Sequence, residues 1–194
     1  MKLILASRSP RRGQILSRLK IPFNIIASDV DESQFSSNEN PEEFACELAE
    51  LKASYVARQY PDSLVIGADT IVVLHDEIMG KPDDKQDAGR MLKNLSGNTH
   101  RVITAVSLVH NSKTINHTFF QDTKVTFREL SREDISTYID STSPYDKAGS
   151  YGIQDWSAIF VEHINGCYDN VVGFPLSRFY CELKKIGIQL NEIS

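Results

Sequence analysis

The segment from Leu64 to Leu74 constrains the fold of this chain more than any other stretch. It reads LVIGADTIVVL, an almost unbroken run of apolar and β-branched residues, which is typical of a buried strand. One acid, Asp69, interrupts it. A lone buried carboxylate is costly, so we expect Asp69 to be paired, bound to a metal or placed at a strand end that faces a cleft. Gly67 and Ala68 are small enough for a ligand or another backbone to approach closely. The structural alternative is a strand that ends in a turn, with Asp69 as a local cap.

Length and charge set the broad class. The chain has 194 residues, enough to bury a large core, and we predict a single domain of two intimate lobes over residues 1–194. Its formal net charge of -5 argues against a binder of nucleic acid polymers. No run is apolar for long enough to span a membrane, and the N-terminal stretch reaches Arg8 too early for a signal peptide.

An odd number of cysteines without metal-site spacing favours small buried thiols in a reduced cytoplasm. The cysteines are Cys46, Cys167 and Cys181.

A basic cluster follows the first predicted strand, Lys2–Ala6. Ser9 and Pro10 are typical of a helix start, so three arginines crowd a turn from strand to helix. Backbone N–H groups point outward at such a turn, which suits phosphate. A charge-assisted arginine bond contributes about 1.5–3 kcal/mol, whereas the helix end adds about 0.3–1 kcal/mol. Because cations at this end oppose the helix dipole, we favour an anion site over a solvated basic turn. The arginines are Arg8, Arg11 and Arg12.

A second predicted strand, Phe23–Ala27, runs into an acidic cluster. Hard oxygen ligands at a strand end can hold a divalent cation, although a solvated loop has the same composition. The cluster consists of Asp29, Asp31 and Glu32.

A long helix is predicted next, because Asn40 and Pro41 form a typical helix start and the apolar spacing continues to about Gln59. Lys52 lies near the apolar side of this helix. Its ammonium group therefore either reaches outward to solvent or points at an anion.

The remaining pattern alternates strands and helices. The segment from Pro144 to Gln154 is rich in glycine and polar residues and lacks periodicity, which is typical of a binding loop. The other predicted elements are a short return strand after His75, a helix from Asp83 to Leu95, strands Arg101–Val109 and Thr114–Arg128, a helix from Ser131 to about Ser141, strands Ala158–His163 and Tyr168–Val172, and a helix from Pro175 to about Lys185.

A series of short motifs runs along nearly the whole length of the chain. They are Leu3–Ser7 with Ser9–Arg12, Asp31-Glu32, Leu48–Ala53, Gly67–Thr70, Gly80–Pro82, Leu95–Gly97 and Asp146–Gln154. With this series the chain resembles the Maf family of nucleoside triphosphate pyrophosphatases. Each motif alone is weak, but their order along the chain is highly specific. The resemblance implies an α/β fold, a two-lobed mixed sheet flanked by helices with a central cleft, similar to the inosine triphosphate pyrophosphatases. It also implies a divalent cation, hydrolysis of a nucleotide to its monophosphate and pyrophosphate, and a homodimer.

Three positions separate the family's subgroups. The subgroup that acts on 7-methyl-GTP carries tryptophan, glutamine and glutamate where this chain has Arg11, Thr70 and Gln154. These three residues resemble those of the subgroup that acts on dTTP and UTP. The chemistry agrees, because the Gln154 amide both donates to and accepts from a pyrimidine edge, whereas a glutamate only accepts. A positively charged methylated guanine would favour the acid and a stacking tryptophan.

The resemblance and the chemistry together suggest roles for the site residues. We expect Asp69 to act on the attacking water and Thr70 and Gln154 to contact the base, with Arg11 also influencing specificity. An ordinary aspartate has a pKa of about 3.9, too acidic for a strong base near neutrality. We therefore expect a cation such as Mg²⁺ or Mn²⁺, held partly by Glu32 and Asp69, to acidify or orient that water. Lys147 either contacts phosphate or pairs with Asp146. The expected phosphate ligands are Ser7, Arg11, Arg12, Lys52 and Lys81.

Three other functions compete with this hypothesis. A 7-methyl-GTP pyrophosphatase is disfavoured at all three separating positions. A non-catalytic regulator of septum formation would need neither the cationic set nor the acid. A dinucleotide-binding oxidoreductase would carry G-x-G-x-x-G after the first strand, and this chain does not. A house-cleaning role against modified pyrimidine nucleotides and control of normal pools are not distinguished by the sequence.

Overall fold

The run around Asp69 forms the long central strand of a mixed β-sheet. The structure is a computed structural model and describes residues 1–31, 40–141 and 144–194. The strands of this sheet are β1 (Lys2–Ala6), β2 (Asn24–Ile25), β3 (Ser63–Leu74), β4 (Glu77–Met79), β5 (Thr99–His110), β6 (Ile115–Phe127) and β7 (Val161–Asn165).

Strand β3 joins a parallel half of the sheet to an antiparallel half. The strand order is β2-β1-β3-β5-β6-β7, and β4 pairs with β3 off this path. β1 runs parallel to β2 and β3, whereas β5 lies antiparallel to β3 and β6. The β3–β5 register places Asp69 opposite Ala105 and Thr70 opposite Thr104. Side chains of consecutive strand residues point to opposite faces, so Asp69 and Thr70 serve different sides of the sheet.

Six helices flank the sheet within the described residues. Side-chain caps fix three of them. The Asn40 side chain accepts from the N–H groups of Glu42 and Glu43, Asp84 accepts from the N–H of Asp87, and Ser131 Oγ accepts from the N–H of Asp134. The helices are α1 (Pro10–Ser17), α2 (Pro41–Ala57), α3 (Lys85–Leu95), α4 (Arg132–Ser141), α5 (Tyr168–Val172) and α6 (Leu176–Lys185).

Helix α2 packs directly on β3, and Gly67 makes the approach possible. A Cβ atom at Gly67 would lie 2.2 Å from the Ala49 carbonyl oxygen and 2.5 Å from the Ala53 nitrogen. Of the two alternatives for this glycine, close approach of another backbone is therefore the one observed. Small alanines on the helix complete the contact, so α2 lies unusually close to the strand that carries Asp69.

The opposite side of the sheet carries two hydrophobic cores. The first packs β1 and α1 against Phe174 and Phe179, near the C-terminal helix α6. The second packs α3 and α4 around Phe127 and Phe160. The prediction of an α/β fold with a mixed sheet flanked by helices is confirmed.

The predicted strand Tyr168–Val172 is wrong, because these residues form helix α5. The β-branched valines favour a strand locally, but Asn170 overrides that preference by tertiary bonding. Its Nδ2 donates to the Val102 carbonyl at 2.8 Å and to Thr123 Oγ1 at 2.9 Å. Gly173 then ends the helix with a φ of 119°.

Two other predicted strands need correction. The strand predicted at Ala158–His163 begins later, at Val161, because a 3₁₀ turn occupies Trp156–Phe160. Only Asn24–Ile25 of the predicted second strand pairs with β1.

The cysteines are free thiols, but they are less buried than expected, with Cys181 exposed and the other two partly buried. Across the described residues no helix is long and apolar enough to cross a membrane.

Candidate active site

A cleft of about 1000 Å³ opens where the first strand, the central strand and the segment 144–155 meet. Residues of both hydrophobic cores line it. Every predicted site residue that the structure describes is among them, whereas Glu32 lies outside the described residues. The residues brought together are Ser7, Arg11, Arg12, Lys52, Asp69, Thr70, Lys81 and Gln154.

The carboxylate of Asp69 is paired with the ammonium group of Lys52. Lys52 Nζ donates to Asp69 Oδ1 at 2.6 Å, and each residue is 8% exposed. Of the three environments expected for the acid, a pair beside a cleft is the one observed. The close packing of α2 on β3 brings the two residues together, so Lys52 points into the cleft rather than out to solvent. We refer to them as the buried pair.

Arg12 links three separate segments at the other side of the cleft. Its Nε donates to the Gly173 carbonyl at 3.0 Å, and Nη2 donates to Thr70 Oγ1 at 3.0 Å. Nη1 lies 3.4 Å from Ser7 Oγ. Because the guanidinium is planar and rigid, these contacts fix its orientation toward the cleft.

The first turn of α1 has backbone donors that its own cap does not use. Ser9 occupies the N-cap position as predicted, but its side chain makes no capping bond. The backbone N–H of Ser9 instead donates to Ser7 Oγ at 3.1 Å. The N–H groups of a first helical turn point outward along the helix axis, and together with the Arg12 guanidinium they are suited to an oxyanion.

Charged side chains of alternating sign run along the third wall of the cleft. Arg11 Nη1 donates to Asp146 Oδ2 at 2.9 Å, and Lys147 Nζ donates to Asp146 Oδ1 at 2.6 Å. Lys147 Nζ also lies 3.1 Å from Asp155 Oδ2. The alternative in which Lys147 pairs with Asp146 is thus the one present. We call Arg11, Asp146, Lys147 and Asp155 the charge chain.

The charge chain shifts the pKa of its members. Burial alone would raise the pKa of Asp146, but the bonds from Lys147 and Arg11 hold that pKa below its ordinary value. Burial would lower the pKa of Lys147, and the two carboxylates outweigh it and raise that pKa. Gly152 makes room for the contact, since a Cβ there would lie 2.7 Å from Asp155 Oδ2.

Lys81 and Gln154 lie at the exposed margin of the cleft. Lys81 forms no ion pair with another described residue, so its ammonium is available to an anionic ligand. A hydrogen bond joins the loop that carries Lys81 to the segment that carries Gln154, because the Gly149 N–H donates to the Gly80 carbonyl at 3.0 Å. Gly149 has a φ of 64°, a conformation that favours glycine.

Sequence reasoning missed two buried polar contacts behind the cleft. Thr104 bonds to Thr70, and its presence inside an apolar strand was the available signal. His100 Nε2 lies 2.8 Å from the Tyr151 hydroxyl in the second core. Burial lowers the pKa of His100 to about 3 and raises the pKa of Tyr151. Both groups are therefore neutral near pH 7, and they anchor the segment that carries Asp146, Lys147 and Asp155.

The carboxylates in the described lining of this cleft are not gathered into a metal cage. No group of three or more His, Cys, Asp or Glu side chains with metal-binding geometry occurs in residues 1–31, 40–141 and 144–194. Asp69 offers Oδ2, which has no hydrogen-bond partner among the same residues, and Asp31 lies at the rim. Mg²⁺ is commonly held by one or two carboxylates, waters and substrate phosphates rather than by a protein cage. Asp69 Oδ2 fits such an ion as a single carboxylate ligand.

Comparison with known proteins agrees with this geometry. The family model described as "Maf-like protein" matches residues 2–186. The chain belongs to the Maf family. A relative from Bacillus anthracis (strain CDC 684 / NRRL 3495), named dTTP/UTP pyrophosphatase, is 48% identical over 190 residues, covering 98% of both chains. A protein of the same name from Bacillus cereus (strain AH187) is likewise 48% identical over 190 residues, with 98% of each chain covered.

The fold of this Maf-family chain also occurs in a solved structure of low sequence similarity. A HAM1 protein from Coxiella burnetii superposes with a TM-score of 0.53 over 95% of this chain and 99% of that one, at 14% identity. At that identity the likeness concerns the fold alone.

Proposed function

We propose that this Maf-family protein hydrolyses dTTP and UTP to the nucleoside monophosphate and pyrophosphate. The observation that carries the proposal is the buried pair at the wall of a cleft that also holds Arg12 and Lys81. Relatives named dTTP/UTP pyrophosphatase at 48% identity over nearly the whole chain support the substrate class.

The cationic groups of the cleft suit a triphosphate. Cleavage between the α- and β-phosphates needs positioned phosphates and neutralisation of the charge that develops on the leaving pyrophosphate. Arg12 and the first turn of α1 would hold one part of the triphosphate, and Ser7 would assist. Lys52 and Lys81 approach from other segments and would neutralise the rest. Arg11 would join them by exchanging Asp146 for a phosphate oxygen.

Asp69 would hold and orient the attacking water. Its Oδ1 is bonded to Lys52, so Oδ2 is the oxygen that faces a ligand. An aspartate is a weak base near neutrality, since its ordinary pKa is about 3.9. When bound, a divalent cation such as Mg²⁺ or Mn²⁺ supplies the Lewis acidity that makes this water reactive. Asp69 would be its protein ligand in the described cleft, and Glu32 remains the second predicted ligand.

Thr70 and Gln154 would contact the base. Thr70 lies on the face of the sheet opposite Asp69, beside Arg12, and Gln154 lies at the margin. The Gln154 amide can donate to and accept from a pyrimidine edge. Arg11, which belongs to the charge chain on the third wall of the cleft, would influence specificity.

The proposed substrates and the free thiols indicate the cellular compartment of the enzyme. Nucleotide pools and three free cysteines favour the cytoplasm, which we propose as its compartment. The homodimer and the single domain over residues 1–194 remain predictions.

A substrate panel tests the proposed function. Ordinary, modified and 7-methylated nucleotides are incubated with purified protein, with and without Mg²⁺ or Mn²⁺, and both pyrophosphate and orthophosphate are measured. We expect pyrophosphate from dTTP and UTP, and only with a metal added. Preference for 7-methyl-GTP would favour the other subgroup, and orthophosphate as the first product would contradict the proposed bond cleavage.

A further inference from the structure

Three hydrogen bonds connect Arg12 to the backbone of helix α5. Arg12 Nη2 donates to Thr70 Oγ1 at 3.0 Å, and Thr70 Oγ1 lies 3.0 Å from Thr104 Oγ1. Thr104 Oγ1 lies 2.9 Å from the Asn170 carbonyl oxygen. Thr104 and Asn170 are fully buried, whereas Thr70 is partly exposed in the cleft.

The donors in this series follow from the groups themselves. A carbonyl oxygen only accepts, so Thr104 must give its one hydroxyl proton to Asn170. Thr104 can then only accept from Thr70, which commits the Thr70 proton as well. A guanidinium only donates, so Arg12 occupies one lone pair of Thr70. What Thr70 still offers to the cleft is a single acceptor lone pair.

We infer that Thr104 is a positioning residue that fixes the Thr70 hydroxyl as an acceptor toward the base. The inference rests on the proposed function and goes beyond it, because it assigns a specificity role to a buried residue that touches no substrate. Uracil and thymine present an N–H donor at ring position 3, whereas cytosine presents a lone pair there. A fixed acceptor therefore favours UTP and dTTP over CTP and dCTP.

The backbone of α5 keeps Thr104 in this state. Asn170 holds the helix to the sheet through its Nδ2 bonds to Val102 and Thr123. The Gly173 carbonyl at the end of the same helix accepts from Arg12 Nε at 3.0 Å. The helix thus supplies two fixed acceptors, one for Arg12 and one for Thr104. Because of these bonds, neither the Thr70 hydroxyl nor the Thr104 hydroxyl is free to rotate its proton into the cleft.

The test compares UTP with CTP, which presents a lone pair at ring position 3 where UTP presents an N–H donor. We expect wild-type kcat/KM to favour UTP by about tenfold, the size of one lost neutral hydrogen bond. In Thr104→Val the Thr70 proton loses its acceptor and can turn toward the base. We expect the preference to fall below about threefold in that variant, and Thr104→Ser, which keeps the hydroxyl, to restore it.

Thr118→Val is the matched control. Thr118 donates to Ser107 in a second hydroxyl pair of the same sheet, at 2.9 Å and outside the cleft lining, so its loss should leave the preference unchanged. A preference retained in Thr104→Val would overturn the inference and leave Thr104 a structural residue. The wild-type comparison needs no variant to fold, and a wild-type preference below twofold overturns the inference by itself. Absence of pyrophosphate from UTP would instead overturn the proposed function.

Discussion

The buried pair and the charge chain are built from the same kinds of group but differ in their exposure to water. In the buried pair the lysine and aspartate side chains are 10% and 11% exposed. In the charge chain, Lys147 is equally buried, at 11% exposure, but Asp146 is 55% exposed and its partner Arg11 is 25% exposed. The buried pair is therefore closed to solvent, and the Arg11–Asp146 end of the charge chain is open to it.

This difference in exposure assigns different tasks to the two walls. Removing one partner of a buried ion pair costs about 3–5 kcal/mol, because a charge is left without compensation. An exposed pair contributes only about 0–1 kcal/mol. The buried pair is thus suited to hold one fixed geometry at the reacting atoms. The charge chain is suited to exchange partners, and we expect Arg11 to leave Asp146 when phosphate binds.

The largest effect is expected for Asp69→Asn, which removes the charge from the buried pair while keeping its shape. We predict that pyrophosphate release from dTTP falls by about 10²–10⁴ while the protein remains folded. The matched substitution Asp146→Asn in the charge chain should change release by less than about tenfold. Near-normal turnover by Asp69→Asn would remove this residue from the mechanism, and equal losses in both variants would erase the distinction between the walls.

Lys52→Met should show the next largest effect. It removes a phosphate ligand and leaves Asp69 buried without its partner. We expect kcat/KM to fall by about 10–100-fold and the free energy of unfolding to drop by about 3–5 kcal/mol. Arg11→Met should lower the free energy of unfolding by about 1 kcal/mol or less. Urea unfolding of both variants, followed by fluorescence, checks the comparison, and a smaller loss in Lys52→Met than in Arg11→Met would contradict it.

The buried His100–Tyr151 contact that anchors the open wall predicts acid sensitivity. The pKa of His100 is about 3 in the folded chain and about 6.5 when exposed, so the unfolded state binds more protons between these values. Stability should therefore fall as the pH is lowered from 6.5 toward 3. We expect His100→Leu combined with Tyr151→Phe to reduce the pH dependence of the melting temperature in that window. An unchanged profile in the double variant would show that other groups control acid unfolding.

The smallest effect is expected at the exposed margin, for Gln154→Glu. A glutamate accepts but does not donate, so one bond to a pyrimidine edge is lost. We predict that use of UTP relative to purine nucleotides falls by about tenfold or less. Competition assays with UTP and GTP measure the ratio, and Gln121→Glu, outside the cleft lining, serves as the control. The same ranking in Gln154→Glu as in the wild type would place base selection elsewhere.

The sequence predicted the long elements well because their patterns are strong over many residues. The central strand, the helix after Asn40 and the hairpin between Thr99 and Phe127 all follow their apolar spacing. The intrusive Asp69 also indicated the position of the cleft, since a buried acid must be compensated. The partner it takes, Lys52, lies 17 residues earlier, and only the packing of α2 on Gly67 brings the two together.

Short segments were predicted poorly because contacts distant in sequence decide them. Helix α5 carries β-branched residues, and its helical form depends on bonds from Asn170 to two other strands. The bond between Thr70 and Thr104 joins residues 34 positions apart, and although a threonine inside an apolar strand signals a polar contact, no local pattern indicates its partner. Gly67 fitted two explanations equally until the adjoining helix was in place. Local composition therefore located the site, and tertiary packing determined its internal bonding.

Hydrolysis of dTTP in ¹⁸O-labelled water tests the central claim most directly. If the cleft orients a water for attack on the α-phosphate, the label should appear in dTMP, and pyrophosphate should carry none. Asp69→Asn should form almost no labelled dTMP over the same time. Label in pyrophosphate would mean attack at the β-phosphate, which contradicts the proposed arrangement of water, acid and leaving group.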